Sequence, residues 1–256
     1  MRALLSVLYA LVAYAAFQLV LVVFIGFSAD LVVPKPVDGG MPAPWPQALA
    51  VDLGLLLMFG VQHSLMARRG FKRWWAGIVP PVVERSTYVV ASCLVLGLLM
   101  WLWVPIAAPV LWRVERPAGV VLLWGVFGLG WLLAGASTFA LDHFELFGLR
   151  QAFAPLTGRP IPQASLRTPL LYRHVRHPLY LGFLLGLWGG PVMSAGRLVL
   201  AGGLSLYILV GIAFEERDLI HHFGERYRAY RGQVGMLLPR WRPARQAIGD
   251  KADKAG

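Results

Sequence analysis

Residues 118–141, AGVVLLWGVFGLGWLLAGASTFAL, decide the fold. The run carries no charge and exceeds the roughly 20 apolar residues that take an α-helix across the hydrocarbon of a bilayer. Three runs of the same kind precede it, at residues 3–27, 46–66 and 86–104. Two more follow, at 179–195 and 198–214, each at the short limit for a span and separated by little more than Gly196-Arg197, which predicts a tight helical hairpin. The expected fold is all-α: a polytopic membrane bundle of five to six transmembrane helices with a cytoplasmic C-terminal helical cap. Composition agrees, since 57% of the 256 residues are hydrophobic and mean hydropathy is +0.61, against about 45–50% apolar residues in a soluble domain.

The net charge of +11 finds its explanation in topology. Nucleic-acid binding would need a basic patch on a soluble fold with groove-reading or base-stacking elements, and the sequence offers none. Cytoplasmic loops retain Lys and Arg; with the N-terminus inside, 20 of the 24 basic residues fall on the inner side, leaving Lys35, Arg113, Arg116 and Arg197 outside. This predicts a multi-pass protein of a bacterial inner membrane with both termini cytoplasmic. The first apolar run is too long for the roughly 7–15-residue core of a signal peptide, so it is expected to be a retained helix. Residues 28–45, rich in Pro and Gly, predict an irregular outer connection. Cys93 is the lone cysteine, which excludes an intramolecular disulfide and a cysteine-cluster metal site. Residues 1–256 are expected to form one integral membrane domain: a transmembrane bundle over 1–141, a cofactor-binding and catalytic region over 142–243, and a small, charged, disordered tail over 244–256.

Polar residues gather in three inner-side segments. In the first, His63 lies near the inner end of a span and Arg85 opens the next; an ionisable residue at membrane depth is a functional candidate, although Gln62 and His63 also suit helix–helix hydrogen bonds. The second, residues 142–151, places Asp142, His143, Glu145 and Arg150 at the end of the fourth span, where a water-soluble and a membrane-permeant substrate could meet; polar helix ends are also an ordinary structural feature. The third runs from Tyr172 through Arg173, His174, Arg176, His177, Pro178, Tyr180 and Gly182, then, beyond the hairpin, from Glu215 and Glu216 to Phe223, Tyr227 and Tyr230. Pro178 suits the first turn of a helix and Gly182 leaves room beside the backbone. Steps of three and four residues put Glu216, Phe223, Tyr227 and Tyr230 on one face of a last helix, with Arg217, His221, Arg228 and Arg231 elsewhere.

Folded together, these residues offer an acid (Glu215 or Glu216), basic donors (Arg176, His177) and an aromatic slot (Tyr180, Phe223, Tyr227). A ligand with an ammonium, a carboxylate, a sulfonium and an adenine needs that set, and S-adenosylmethionine carries all four. A salt-bridged membrane face is the plain alternative for each residue taken singly.

Arg176-His177-Pro178, Tyr180 and Gly182, with Glu215-Glu216, Phe223-Gly224, Tyr227, Tyr230 and Pro239, resembles the signature of the isoprenylcysteine carboxyl methyltransferase and phospholipid methyltransferase superfamily. That resemblance implies S-adenosylmethionine bound by the His-Pro region, here His174 to Gly182, and by the paired glutamates under a cytoplasmic cap. The N-terminal half is similar to the bacterial methanethiol S-methyltransferases at His63-Ser64, Ala67-Arg68, Phe71-Lys72, Trp75, Pro80, Glu84 to Tyr88 and Trp101, as are Asp142-His143-Phe144 and Leu146 to Gln151. What this implies is methylation of methanethiol to dimethyl sulfide, with S-adenosylhomocysteine as co-product. His63-Ser64 and Glu84-Arg85-Ser86 also resemble the denitrification-associated NnrU membrane family.

Methyl transfer to a small thiol needs the thiolate, and an alkanethiol, like free Cys with a pKa of about 8.5, is mostly protonated at neutral pH. His143 or His63 is expected to take the proton and Arg85 or Arg150 to steady the anion, with Asp142 beside them. The expected partners are a small-molecule thiol and the lipid bilayer, with no nucleic acid and no obligatory protein partner; no metal is required. A carboxyl or phospholipid methyltransferase, an NADPH-dependent membrane reductase and a non-enzymatic NnrU-like accessory protein are the rival readings.

Overall fold

A computed structural model of the chain describes residues 1–158 and 169–240. The expected tail over 244–256, and Arg159 and Arg167 among the inner-side basic residues, lie outside the described residues.

The elements in chain order are α1 (Arg2–Ala29), α2 (Trp45–Ala67), α3 (Arg69–Trp75), α4 (Pro81–Leu102), β1 (Val110–Arg113), α5 (Pro117–Leu141), α6 (His143–Leu146), α7 (Leu149–Thr157), a 3-10 turn (Leu170–Arg173), α8 (Pro178–Trp188), β2 (Val192–Ser194), α9 (Ala195–Phe223) and α10 (Glu225–Gln233). Five helices, α1, α2, α4, α5 and α9, are long and apolar enough to cross a membrane. The all-α multi-pass bundle expected from the sequence is therefore the fold observed. Large apolar side chains such as Val121, Leu122, Leu129 and Leu132 of α5 face outward, a surface that hydrocarbon covers and water would not tolerate. Prolines at the first or second position start α2, α4, α5 and α8, where a missing N–H costs no helical hydrogen bond.

The hairpin expected over 179–214 takes a different form. Its first arm, α8, has 11 residues and reaches about 16 Å at 1.5 Å per residue, half the bilayer's hydrocarbon. Gly189, Gly190 and Pro191 end it, and β2 then pairs antiparallel with β1. The second arm, α9, has 29 residues and begins at Ala195, capped by the Arg197 N–H donating to Ser194 Oγ at 3.0 Å. Gly196 and Arg197 are thus the first turn of α9, and the connection lies just before them. Counting apolar residues runs past this break, because Gly189-Gly190-Pro191 carries no charge; as a Gly-Gly-Pro run it is nevertheless a helix-breaking signal.

Close backbone approach holds α8 to α5. A Cβ on Gly130 would stand 2.4 Å from Gly186 N, and one on Gly182 would stand 2.5 Å from Ala134 N. This is small-residue packing of the kind that joins helices in lipid, where burial of apolar surface supplies little drive. α1, α4, α2 and α9 form the rest of the bundle around a core that includes Phe27, Leu99, Trp103 and Leu200.

One face of the bundle, the basic face, carries the chain start, α3, α6, α7 and α10, and most of the basic side chains among the described residues. On the opposite face residues 30–44 run irregularly between α1 and α2, as expected. They are pinned by a buried network: Ser194 Oγ donates to Asp38 Oδ1 at 2.5 Å, and Arg197 Nε lies 3.4 Å from Asp38 Oδ2. Burial pushes the Asp38 carboxyl up, while Ser194 and Arg197 pull it back. Two open cavities of about 350 and 390 Å³ lie on this opposite face, lined in part by Asp38, Arg197 and Trp45.

Candidate active site

The last helix bends before it reaches the basic face. Gly224 (φ 55°, ψ −130°) adopts a backbone that a side chain would strain, and there α9 gives way to α10. The single continuous face expected over Glu216 to Tyr230 is accordingly split between two helices. The bend turns α10 back beneath the basic face, and residues 234–236 run beside 175–177: the Arg176 N–H donates to Gly235 O at 2.8 Å and the His177 N–H to Met236 O at 3.1 Å.

This return closes a cluster around Glu216. Arg176 donates from Nε to Glu216 Oε1 at 2.7 Å and brings Nη2 to the same oxygen at 2.7 Å, while its Nη1 donates to Arg231 O at 3.2 Å and to Val234 O. His177 Nε2 stands 3.2 Å from Glu216 Oε1, and Arg231 Nε stands 3.3 Å from Oε2. Both carboxylate oxygens are therefore in use. The glutamate and arginine side chains are 8% and 6% exposed, and a charge so buried persists only because its partner is there. Arg231, which helical spacing set apart from Glu216, is brought to it by the bend at Gly224. Tyr227 packs inside the protein, and Tyr230 donates to Tyr172 O at 2.6 Å. Burial raises both phenols, that of Tyr230 to about 12.

Glu215, one residue away, is in the opposite situation. Its side chain is 44% exposed; Tyr180 donates to its Oε2 at 2.9 Å, and His177 Nδ1 lies 3.8 Å from the same oxygen. The His177 and Tyr180 rings stack at 5.5 Å. Arg173 and His174 are exposed on the turn just before.

The two candidate proton acceptors occupy separate seams. His143 is buried between α1, α5 and α6. Thr138 donates its hydroxyl to Gly135 O at 2.7 Å, so its oxygen receives the His143 Nδ1–H, also at 2.7 Å. The other nitrogen, Nε2, then accepts a hydrogen bond from the Tyr14 hydroxyl at 2.7 Å. Phe139 stacks on the ring at 4.0 Å and 1°. Burial lowers the imidazole below its ordinary 6.5, favouring this neutral form. Asp142 caps α6, accepting from the Glu145 N–H at 3.1 Å, and pairs with Arg150 at 2.5 Å.

His63 lies in the seam of α2, α4 and α9. Ser92 donates to Tyr88 O at 2.9 Å and so accepts from His63 Nδ1 at 3.1 Å. Phe59, Tyr88 and Tyr207 ring the imidazole at 5.3, 5.0 and 6.2 Å between centroids. Tyr88 donates its hydroxyl to His63 O at 3.2 Å. Ser92, Phe59 and Tyr207 were not singled out in the sequence. The signal for Tyr207 was a phenol inside an apolar span, a group whose hydroxyl must find a partner in hydrocarbon.

The chain is 49% identical to a methanethiol S-methyltransferase of Mycobacterium tuberculosis over 239 residues, 93% of this chain and 98% of the relative. The chain belongs to the methanethiol S-methyltransferase family. Methanethiol S-methyltransferase 2 of Bradyrhizobium diazoefficiens is 52% identical over 233 residues, 91% of this chain and 89% of the relative. Nurim of Sus scrofa is 36% identical over 178 residues, 67% of this chain and 68% of the relative. No family model and no solved structure matches the chain. As a member of the methanethiol S-methyltransferase family the protein is a membrane methyltransferase, and its polar clusters require a reading in terms of a methyl donor and an acceptor.

Proposed function

We propose that the protein methylates methanethiol to dimethyl sulfide, using S-adenosylmethionine at the cytoplasmic face of a bacterial inner membrane. The observation that carries the donor assignment is the open Glu215 carboxylate, held by Tyr180 and bordered by His177, beside a neighbour whose charge is fully spent. Glu215 is the acid for the donor's ammonium, while His174 and Arg173, exposed on the turn before α8, are basic groups available for its carboxylate. Arg176 and Glu216 serve by fixing His177, Pro178 and the fold-back of residues 234–236, not by touching the donor. Gly182 sets α8 against α5 and so sets the height of Tyr180. Bound S-adenosylmethionine supplies an electrophilic methyl on a sulfonium. Union of a thiolate with a sulfonium annihilates opposite charges, so an apolar surround such as the Phe59, Tyr88 and Tyr207 rings about His63 favours it by excluding water, and the protein's task is alignment. The cytoplasmic assignment rests on the basic face, which carries most of the Lys and Arg.

The test incubates purified protein with methyl-labelled S-adenosylmethionine and, separately, methanethiol, a prenylcysteine and phosphatidylethanolamine. Label is expected in dimethyl sulfide alone. Label in the lipid or the carboxyl ester would replace this acceptor, and binding of NADPH but not of S-adenosylhomocysteine would replace the reaction.

A further inference from the structure

We infer that His63 is the base that takes the thiol proton, and that His143 is a structural latch between α1 and α5. The inference rests on the proposed reaction and assigns the acceptor half of its site. A neutral imidazole has one N–H and one lone pair, so its hydrogen bonds decide whether it has anything to give. At His143 both nitrogens are engaged, Nδ1 donating to Thr138 and Nε2 accepting from Tyr14, with Phe139 closing one ring face. At His63 only Nδ1 is engaged. Ser92 gives its own proton to Tyr88 O, so it can only accept from Nδ1, and this fixes the tautomer with the lone pair on Nε2. No hydrogen bond reaches that nitrogen among the described residues.

Place supports the assignment as well. His63 is four residues from the end of α2, toward the basic face, and the rings of Phe59, Tyr88 and Tyr207 surround it. A donor with its charged end at Glu215 directs its sulfonium away from water, toward aromatic faces that favour a cation. The titratable groups against His63 are Tyr88 from α4 and Tyr207 from α9; the charged groups on the elements packed there are Arg85, one turn before Tyr88 on α4, and Arg68 at the end of α2.

In the step, the S–H proton passes to His63 Nε2 and the thiolate sulfur forms a bond to the methyl carbon. The bond from that carbon to the sulfonium breaks, and its electron pair stays on the sulfur of S-adenosylhomocysteine. The imidazolium then returns its proton to water.

The test compares methanethiol with hydrogen sulfide, which is far more ionised at neutral pH. H63Q is expected to lose about a hundredfold or more in kcat/KM for methanethiol, the range of a general base. The variant should regain about tenfold per pH unit above neutrality as thiolate forms unaided, and its deficit with hydrosulfide should be under about tenfold. S-adenosylhomocysteine affinity should stay within about twofold. S92A, which releases the tautomer without removing the base, should show the same pattern at smaller amplitude, and H143Q should keep the wild-type ratio between the two acceptors. Equal losses for both acceptors in H63Q and S92A, loss of S-adenosylhomocysteine binding by both, or a thiol-dependent deficit in H143Q instead would each overturn the assignment. Absence of methyl transfer by the wild-type protein would instead remove the reaction itself.

Discussion

The ion cluster around Glu216 and the aromatic seam around His63 use polar residues to opposite ends. In the first, both oxygens of Glu216 and all three guanidinium nitrogens of Arg176 have partners, and the result is a rigid joint between α8, α9 and the chain beyond α10. In the second, His63 is fixed through Nδ1 and keeps a lone pair on Nε2; Glu215, beside the ion cluster, likewise keeps a half-exposed carboxylate held by one hydrogen bond. A buried polar group that is fully satisfied specifies structure. One that is oriented but incompletely satisfied is placed for a ligand, and proximity of residue types in the sequence does not separate the two cases.

The largest effect should come from breaking the joint. E216A leaves the Arg176 guanidinium buried without its carboxylate and should cost about 3–5 kcal/mol, seen as a collapse of thermal stability together with S-adenosylhomocysteine binding. E215Q removes a charge from the open site only; donor affinity should fall about ten- to a hundredfold, the scale of one charged hydrogen bond at about 1.5–3 kcal/mol, with thermal stability unchanged.

Smaller changes sharpen the contrast between the histidines. Y14F removes one hydrogen bond from His143 and should cost about 0.5–1.5 kcal/mol of stability, leaving kcat near wild type; a large fall in kcat at unchanged stability would return His143 to catalysis. Stability should also depend on pH at this latch. Burial holds the folded His143 below its ordinary 6.5, so the unfolded chain takes up the proton first. The stabilisation is then complete above that value and is lost as pH falls below it. Thermal melts of wild type and H143Q should diverge above pH 6.5 and converge on acidification.

Much of this was legible in the sequence, for physical reasons. Spans announce themselves because hydrocarbon forces some 20 apolar residues into each helix, and the polar runs proposed for the donor are local, so their residue types, though not their roles, can be read directly. The arrest of α8 was legible as well, since Gly189-Gly190-Pro191 is a helix-breaking run, although span length alone runs past it. Two features were not legible. The division of labour between Glu215 and Glu216 depends on where α8 stands, since adjacent residues on a helix point about 100° apart. The difference between His63 and His143 is set by remote partners, Tyr14 lying 129 residues from His143 and Ser92 on a neighbouring helix. Hydrogen-bond saturation is a tertiary property, and composition carries no trace of it.

Titration of S-adenosylhomocysteine into E215Q and E216Q side by side, with the melting temperature of each measured in the same sample, tests the contrast most directly. Weakened binding with a wild-type melt in E215Q, and a depressed melt in E216Q, is the expected pair. Wild-type affinity in E215Q, or a stable E216Q that has lost only affinity, would contradict it.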